Sequence, residues 1–195
     1  MKLNSNIKIL GNKIILVPYC KHHVPRYHEW MKSEELQALT ASEPLTLEEE
    51  YEMQESWRVD EDKCTFIILD KNIYSNSNNE CEAMVGDTNI FISKEGSKCI
   101  GEIEIMIAEK EFRGKKYGWE AVILMLLYGL IYIQIDVYEV KITKSNDASI
   151  KMFKKLGFAN KSFSEVFQEV TLEKDKDDTW IKWLKDQVKF EIKCY

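Results

Sequence analysis

The segment Glu111-Phe112-Arg113-Gly114-Lys115-Lys116-Tyr117-Gly118-Trp119-Glu120-Ala121 gathers two glycines and three cations just ahead of a long apolar run. Glycines let main-chain N–H groups come close to an anion, and a helix N-terminus adds about half a positive charge. Such a segment can hold a phosphate or a diphosphate. It lacks the G-K-[ST] ending of a Walker A loop and the G-x-G-x-x-G dinucleotide fingerprint. The same residues would also suit a plain surface turn that opens a basic helix.

Upstream, Cys99 to Ala108 alternates Glu102, Glu104 and Met106 with Ile103, Ile105 and Ile107, the period of a strand. Both glutamates therefore share one face, where burial beside the apolar helix would raise a carboxylate toward the range of a working base. A solvated strand face reads the same way. His22, His23 and His28 lack tight ligand spacing, and the five cysteines form no C-x-x-C pair, so no metal site is expected.

The elements that must position these groups follow from pattern. Strands are expected at Lys13–Tyr19, Lys63–Asp70, Ala83–Ser93, Cys99–Ala108, Asp136–Thr143 and Val166–Leu172. Helical turns fill residues 22–40, and a helix starts at Thr46, where Glu49 completes a capping-box pattern. Asn72–Glu82 reads as a polar surface loop, Lys116–Ile133 as a long helix, and Asn146–Leu156 as a shorter one closed by Gly157. This order predicts one α/β domain over residues 1–176, a mixed twisted sheet of about seven strands flanked by helices. A helical tail over residues 177–195 would carry Trp180, Trp183 and Leu184 on one face.

Composition narrows the class. The 195 residues are 45% hydrophobic and 31% charged, the balance of a globular protein. A net charge of −6 argues against general nucleic-acid binding. The longest apolar run, Ala121–Ile133, is shorter than the ~20 residues of a bilayer span, so no membrane partner is expected. Met1–Leu10 is too polar for a secretory signal, and widely spaced, odd-numbered cysteines suit reduced thiols. A cytoplasmic location, with the nucleus also accessible, is the expectation.

Strand, basic glycine loop, apolar helix, strand and then Asn146-Asp147-Ala148-Ser149-Ile150-Lys151-Met152-Phe153-Lys154-Lys155-Leu156-Gly157-Phe158 together resemble the acetyl-CoA half of GNAT acetyltransferases. Arg113 and Gly118 match that family's Arg/Gln-x-x-Gly-x-Gly/Ala loop, while Lys116 stands where its first motif glycine would be. Leu16-Val17-Pro18-Tyr19, Arg26 to Met31, Leu39-Thr40-Ala41-Ser42-Glu43-Pro44-Leu45-Thr46 and Val166 to Leu172 resemble the eukaryotic N-acetyltransferase 9 group across nearly the whole chain.

The resemblance implies a GNAT fold and direct, metal-free acetyl transfer from acetyl-CoA to an amine of a protein or peptide. Tubulin or microtubules are the acceptor to test first. Met106, Ile107 and Ala108 would offer backbone groups to the acetyl and pantetheine portion, with a bulge there splaying the strand from the next one. Gly114, Lys115, Lys116, Tyr117 and Gly118 would hold the diphosphate through main-chain N–H groups, with charge from Arg113 and Lys115. Asn146 would bond the pantetheine or a water, although it also suits a helix N-cap. Phe153 replaces a tyrosine acid and would pack against the cofactor, leaving Ser149 as the hydroxyl donor. Glu104 or Glu102 would be the base. The alternative is a GNAT-fold binding protein that stabilises microtubules without acetyl transfer, a reading kept open by Lys116 and Phe153.

Overall fold

Short aliphatic and β-branched runs, interrupted by Gly11, Pro18 and Gly96, set the strand ends. The computed structural model describes residues 1–195. In chain order it has β1 (Ile7–Leu10), β2 (Ile14–Pro18), α1 (Val24–Met31), α2 (Glu34–Thr40), α3 (Leu47–Val59), β3 (Lys63–Asp70), α4 (Lys71–Ser77) and α5 (Glu80–Ala83). Then come β4 (Met84–Glu95), β5 (Lys98–Ile107), α6 (Tyr117–Tyr128), β6 (Val137–Thr143), α7 (Asp147–Lys155), β7 (Ala159–Ser164), β8 (Glu169–Asp175), α8 (Asp178–Gln187) and β9 (Glu191–Cys194).

The strands form one sheet in the order β7-β8-β6-β5-β4-β3-β2-β1-β9. The pair β5–β6 is parallel, and it lies near the middle. Helix α6 covers one face. Its residues Ala121 to Leu127 have no exposed surface at all, and fully burying each large aliphatic side chain stabilises by roughly 1.5–3 kcal/mol. On the other face, Val24, Tyr27, Trp30, Met31 and Leu36 pack over Ile15, Val17, Ile67, Leu69 and Met106. Thr46 caps α3 through the full reciprocal pair with Glu49.

Several expectations change. The sheet has nine strands: β1 and β9 are four residues each, and β7 is a largely exposed polar edge, so none of the three carries a clear alternating apolar pattern. The Asn-rich stretch 72–82 is two short helices. Asp70 and Asn79 cap their starts, and Asn78 ends the first in the left-handed region. Residues 165–168 form a turn, so the last predicted strand begins at Glu169 instead of Val166. The α-helical part of the long helix stops at Tyr128 and continues as a π turn, Gly129–Ile133. Trp180 and Leu184 of α8 are buried, and the chain then returns to the sheet as β9 beside β1.

Candidate functional site

Strands β5 and β6 share a ladder only over Ile100–Glu102 and Val137–Glu139. Beyond it β5 stays with β4 to Ile107, and β6 stays with β8 to Thr143. A gap therefore opens between the two strands toward their C-terminal ends. Asp136 N–H donates to Cys99 O at 2.8 Å, so alternation turns the main-chain groups of Ile103, Ile105 and Ile107 toward that gap. The expected bulge at Met106–Ala108 does not interrupt the ladder, because β4 and β5 pair without a shift in register as far as Ile107; two successive residues, Ala108 and Glu109, oppose Val85 just past the ladder's end. A second irregularity lies one strand away, where β3 and β4 change register and leave Val85 as the extra residue. The Val85 carbonyl accepts the N–H groups of Ala108 at 2.9 Å and Glu109 at 3.3 Å. Next to it, Gly86 admits the Met106 carbonyl, which would lie 2.0 Å from any added Cβ.

At the mouth of the gap the chain turns through Gly114 (φ +71°) and Lys116 (φ 70°) into α6. The N–H groups of Gly114, Lys115 and Lys116 meet no acceptor, and those of Tyr117, Gly118 and Trp119 have no partner within the helix. Together they make a row of free donors at the positive end of α6, a cradle suited to a diphosphate.

Arg113 does not add its charge to that cradle. Its guanidinium donates to Ile107 O at 2.8 Å and Ala108 O at 3.2 Å, and pairs with Glu35 at 2.5 Å. It fixes the loop to the strand end. The Tyr117 side chain likewise turns away, donating to Asp70 at 2.5 Å, so only its N–H serves the loop. At Gly118 an added Cβ would stand 3.6 Å from Ile107 and 3.9 Å from Ile105, facing β5.

The predicted carboxylates divide. Ile103, Ile105 and Ile107 point to the α6 side, so Glu102 and Glu104 lie on the opposite face, away from the helix expected to bury them. Glu102 is ion-paired with Lys141 at 2.7 Å. Glu104 is exposed, yet desolvation by the surrounding protein holds its pKa above the usual range, against the pull of Lys63 and with a push from Glu102. Asn146 caps α7, its side-chain oxygen accepting Ser149 N–H at 3.1 Å. The Ser149 hydroxyl has no protein partner and remains half-buried at the gap's end of the sheet. Phe153 has no accessible surface, and its ring meets Phe158 at 5.1 Å. It is a core residue, so the cofactor contact expected of it has no surface to form on.

Register reveals a residue that sequence alone missed. Asp87 on β4 stands opposite Met106 and diagonal to Glu104 on the same face. One carboxylate oxygen accepts the Asn89 amide at 2.9 Å, Asn89 in turn accepts the Thr65 hydroxyl at 2.6 Å, and the other oxygen has no protein partner. Burial raises Asp87 to about 7. Tyr27 lies over this place, its phenol pushed well upward by burial and by Asp87, Tyr19, Glu50 and Glu104. Lys63 is the nearby cation. Its ammonium stands 3.8 Å from the Trp57 ring centre and 3.5 Å from that of Phe91, and burial lowers it to about 8. Only strand pairing brings these positions together, so no local motif could have signalled them.

His22, His23 and Glu80 also converge, both imidazoles bonding the same carboxylate oxygen at 2.9 and 3.0 Å. The His23 Nδ1 accepts Cys20 N–H at 3.0 Å, so its Nε2 carries the proton given to Glu80 and has no lone pair for a metal.

Comparison with known proteins agrees with this geometry. A family profile described as an acetyltransferase (GNAT) domain matches residues 13–159. A Drosophila melanogaster protein named alpha/beta-tubulin-N-acetyltransferase 9 is 52% identical over 199 residues, covering 100% of both chains. The Homo sapiens protein of the same name is 52% identical, with 96% of this chain and 92% of the relative covered. A Caenorhabditis elegans N-acetyltransferase 9-like protein is 48% identical, covering 91% of this chain and 90% of its own. Among solved structures, spermidine N-acetyltransferase from Vibrio cholerae in complex with CoA and spermine superposes with a TM-score of 0.70 at 14% identity. That match covers 83% of this chain and 93% of the other, and shows the shared fold.

Proposed function

Since the chain belongs to the acetyltransferase (GNAT) domain family and is an N-acetyltransferase, we propose that it takes acetyl-CoA and acetylates an N-terminal α-amine of tubulin. The observation that carries the cofactor reading is the coincidence of two features. The β5–β6 gap widens toward its C-terminal end, and the free amides of Gly114–Trp119 stand at its mouth. A pantetheine arm needs the first and a diphosphate the second. Lys116 supplies its N–H from a left-handed conformation without a glycine, so its departure from the family loop does not weaken the reading.

Acetyl-CoA brings an activated thioester; the chain's residues must orient it and free the attacking amine of its proton. An ammonium has no lone pair, and an α-amine with pKa about 8 gives up its proton more readily than a lysine at about 10.4. Glu104 and Asp87, both held above the ordinary carboxylate range, take that proton on the face opposite α6. Ser149, uncommitted to any protein acceptor, offers a hydroxyl to the departing sulfur. The acceptor choice is supported by the names of the Drosophila melanogaster and Homo sapiens relatives and by their coverage of nearly the whole chain.

Incubation with acetyl-CoA and purified tubulin, followed by peptide mass spectrometry, tests this directly. Acetylation of a tubulin N-terminus is the expected product. Turnover on spermidine with no modified peptide would move the acceptor to small polyamines. Thermal stabilisation of microtubules with no acetyl transfer would instead favour the binding-protein alternative.

A further inference from the structure

The loop at Gly114–Tyr117 borders a second space on its other flank. Lys13, Asn72, Gly114, Lys115, Lys116 and Tyr117 line an open cleft of about 500 Å³ toward β2 and β3, away from β6. Three of its six lining residues are lysines and none is acidic. Lys13, Lys115 and Lys116 form no ion pair. The nearest carboxylates, Glu120 on the Lys13 N–H and Asp70 on the Tyr117 hydroxyl, are committed to those bonds, and three ammonium groups against two carboxylates leave an excess of positive charge that attracts an anion.

Lys13 is fixed with more care than a surface lysine needs. It follows the tight turn Gly11–Asn12 between β1 and β2, and its ammonium donates to Lys115 O at 3.1 Å, directly over the loop. The buried Glu120, on the first turn of α6, accepts the main-chain N–H groups of Asn12 at 2.5 Å and Lys13 at 2.9 Å. From the start of α4, Lys71 N–H donates to Lys13 O at 2.9 Å and the Lys71 ammonium to Gly11 O at 2.9 Å. A buried carboxylate and a second helix thus hold one turn, and the long side chain that the turn presents at the cleft is Lys13.

Four of the cleft's six lining residues belong to the loop whose amides take the diphosphate, so a further phosphate on the same ligand would lie beside these lysines. We propose that Lys13, with Lys115, Lys116 and the Asn72 amide, holds the ribose 3′-phosphate of coenzyme A, so that the chain distinguishes coenzyme A from 3′-dephospho-coenzyme A. A phosphate monoester carries about −1.5 to −2 charge at pH 7, which matches three ammonium groups around an open cleft. This rests on the reading that the neighbouring amides take the diphosphate.

Isothermal titration of the full chain with coenzyme A and with its 3′-dephospho form separates the two claims. Wild type should bind coenzyme A about ten- to a hundred-fold more tightly than the dephospho form. In Lys13→Ala that preference should shrink to within about three-fold, with dephospho affinity unchanged. Lys13→Arg should keep most of it. The Lys13 side chain is exposed, and circular dichroism would verify that both variants fold. Equal affinity of wild type for the two ligands overturns the 3′-phosphate assignment while leaving the diphosphate cradle standing. So does a Lys13→Ala variant that weakens both ligands alike. Binding of neither ligand to wild type removes the cradle, and this inference with it.

Discussion

The smallest decisive feature is Gly118, whose missing side chain keeps the first turn of α6 open toward Ile105 and Ile107. An indole there would occupy the space between the loop amides and the end of β5. Gly118→Trp should lose most measurable acetyl-CoA binding while keeping its circular dichroism spectrum; unchanged affinity would count heavily against the cradle. Lys116 tells the opposite story, since a side chain stands where the backbone is left-handed at φ 70°. The left-handed conformation costs an L-residue roughly 1–2 kcal/mol, of which a glycine's extra freedom in the unfolded chain returns part. Lys116→Gly should therefore raise thermal stability by about 0.5–1 kcal/mol, read from denaturant melts. A loss of stability would mean that the lysine is held by contacts that outweigh the strain. Asp87 belongs at this scale as well. Asp87→Asn should lower kcat/KM by roughly 10²-fold and remove an inflection near neutral pH, with acetyl-CoA affinity unchanged. An unaltered pH–rate profile would leave Glu104 as the base without it.

At the scale of elements, the informative contact is α3 against α1. Glu50 is 1% exposed, one of its oxygens has no partner, and its other oxygen is 3.9 Å from His28 Nδ1. Burial raises it to about 7, above its ordinary value of 4.5. The folded state therefore binds a proton that the unfolded state releases between those two values. Stability from the neutral form is complete at low pH and is lost as pH rises through about 7. Glu50→Gln removes that loss. Between about pH 5 and pH 8 its stability relative to wild type should increase by about 1–3 kcal/mol, and a pH-independent difference would refute the buried proton. Long elements were legible from pattern: α6, the β5 alternation and the Thr46 box all occur where periodicity and capping chemistry put them. Short edge strands were not, because four residues carry too little alternation to stand out. The helices at 71–83 were hidden because asparagines serving as caps read as loop composition. The cradle was readable because its residues are consecutive. Asp87, Lys63 and Lys13 were not, because register and a clamped turn bring them to the site from distant parts of the chain.

Over the whole molecule, the net charge of −6 is unevenly spread. Lys13, Lys115 and Lys116 border the loop without carboxylate partners. Across β5, β6 and β8, the face opposite α6 carries Glu102, Glu104, Glu139, Glu169, Glu173 and Asp175 against Lys98 and Lys141, with Lys161 reaching in from β7. One end thus attracts a polyanionic cofactor while the open sheet attracts a cationic acceptor, and both attractions pass through solvent. The Debye length falls from roughly 30 Å at 0.01 M salt to about 3 Å at 1 M, so added salt should weaken each encounter without touching the buried chemistry. The KM values for acetyl-CoA and for a basic acceptor peptide should both rise across that range, whereas kcat should change little. A neutral peptide of the same length should lose only the cofactor's share of the effect. If the acetyl-CoA KM proves insensitive to salt, the lysines around the loop are not drawing in its phosphates, and the main-chain amides must account for binding by themselves.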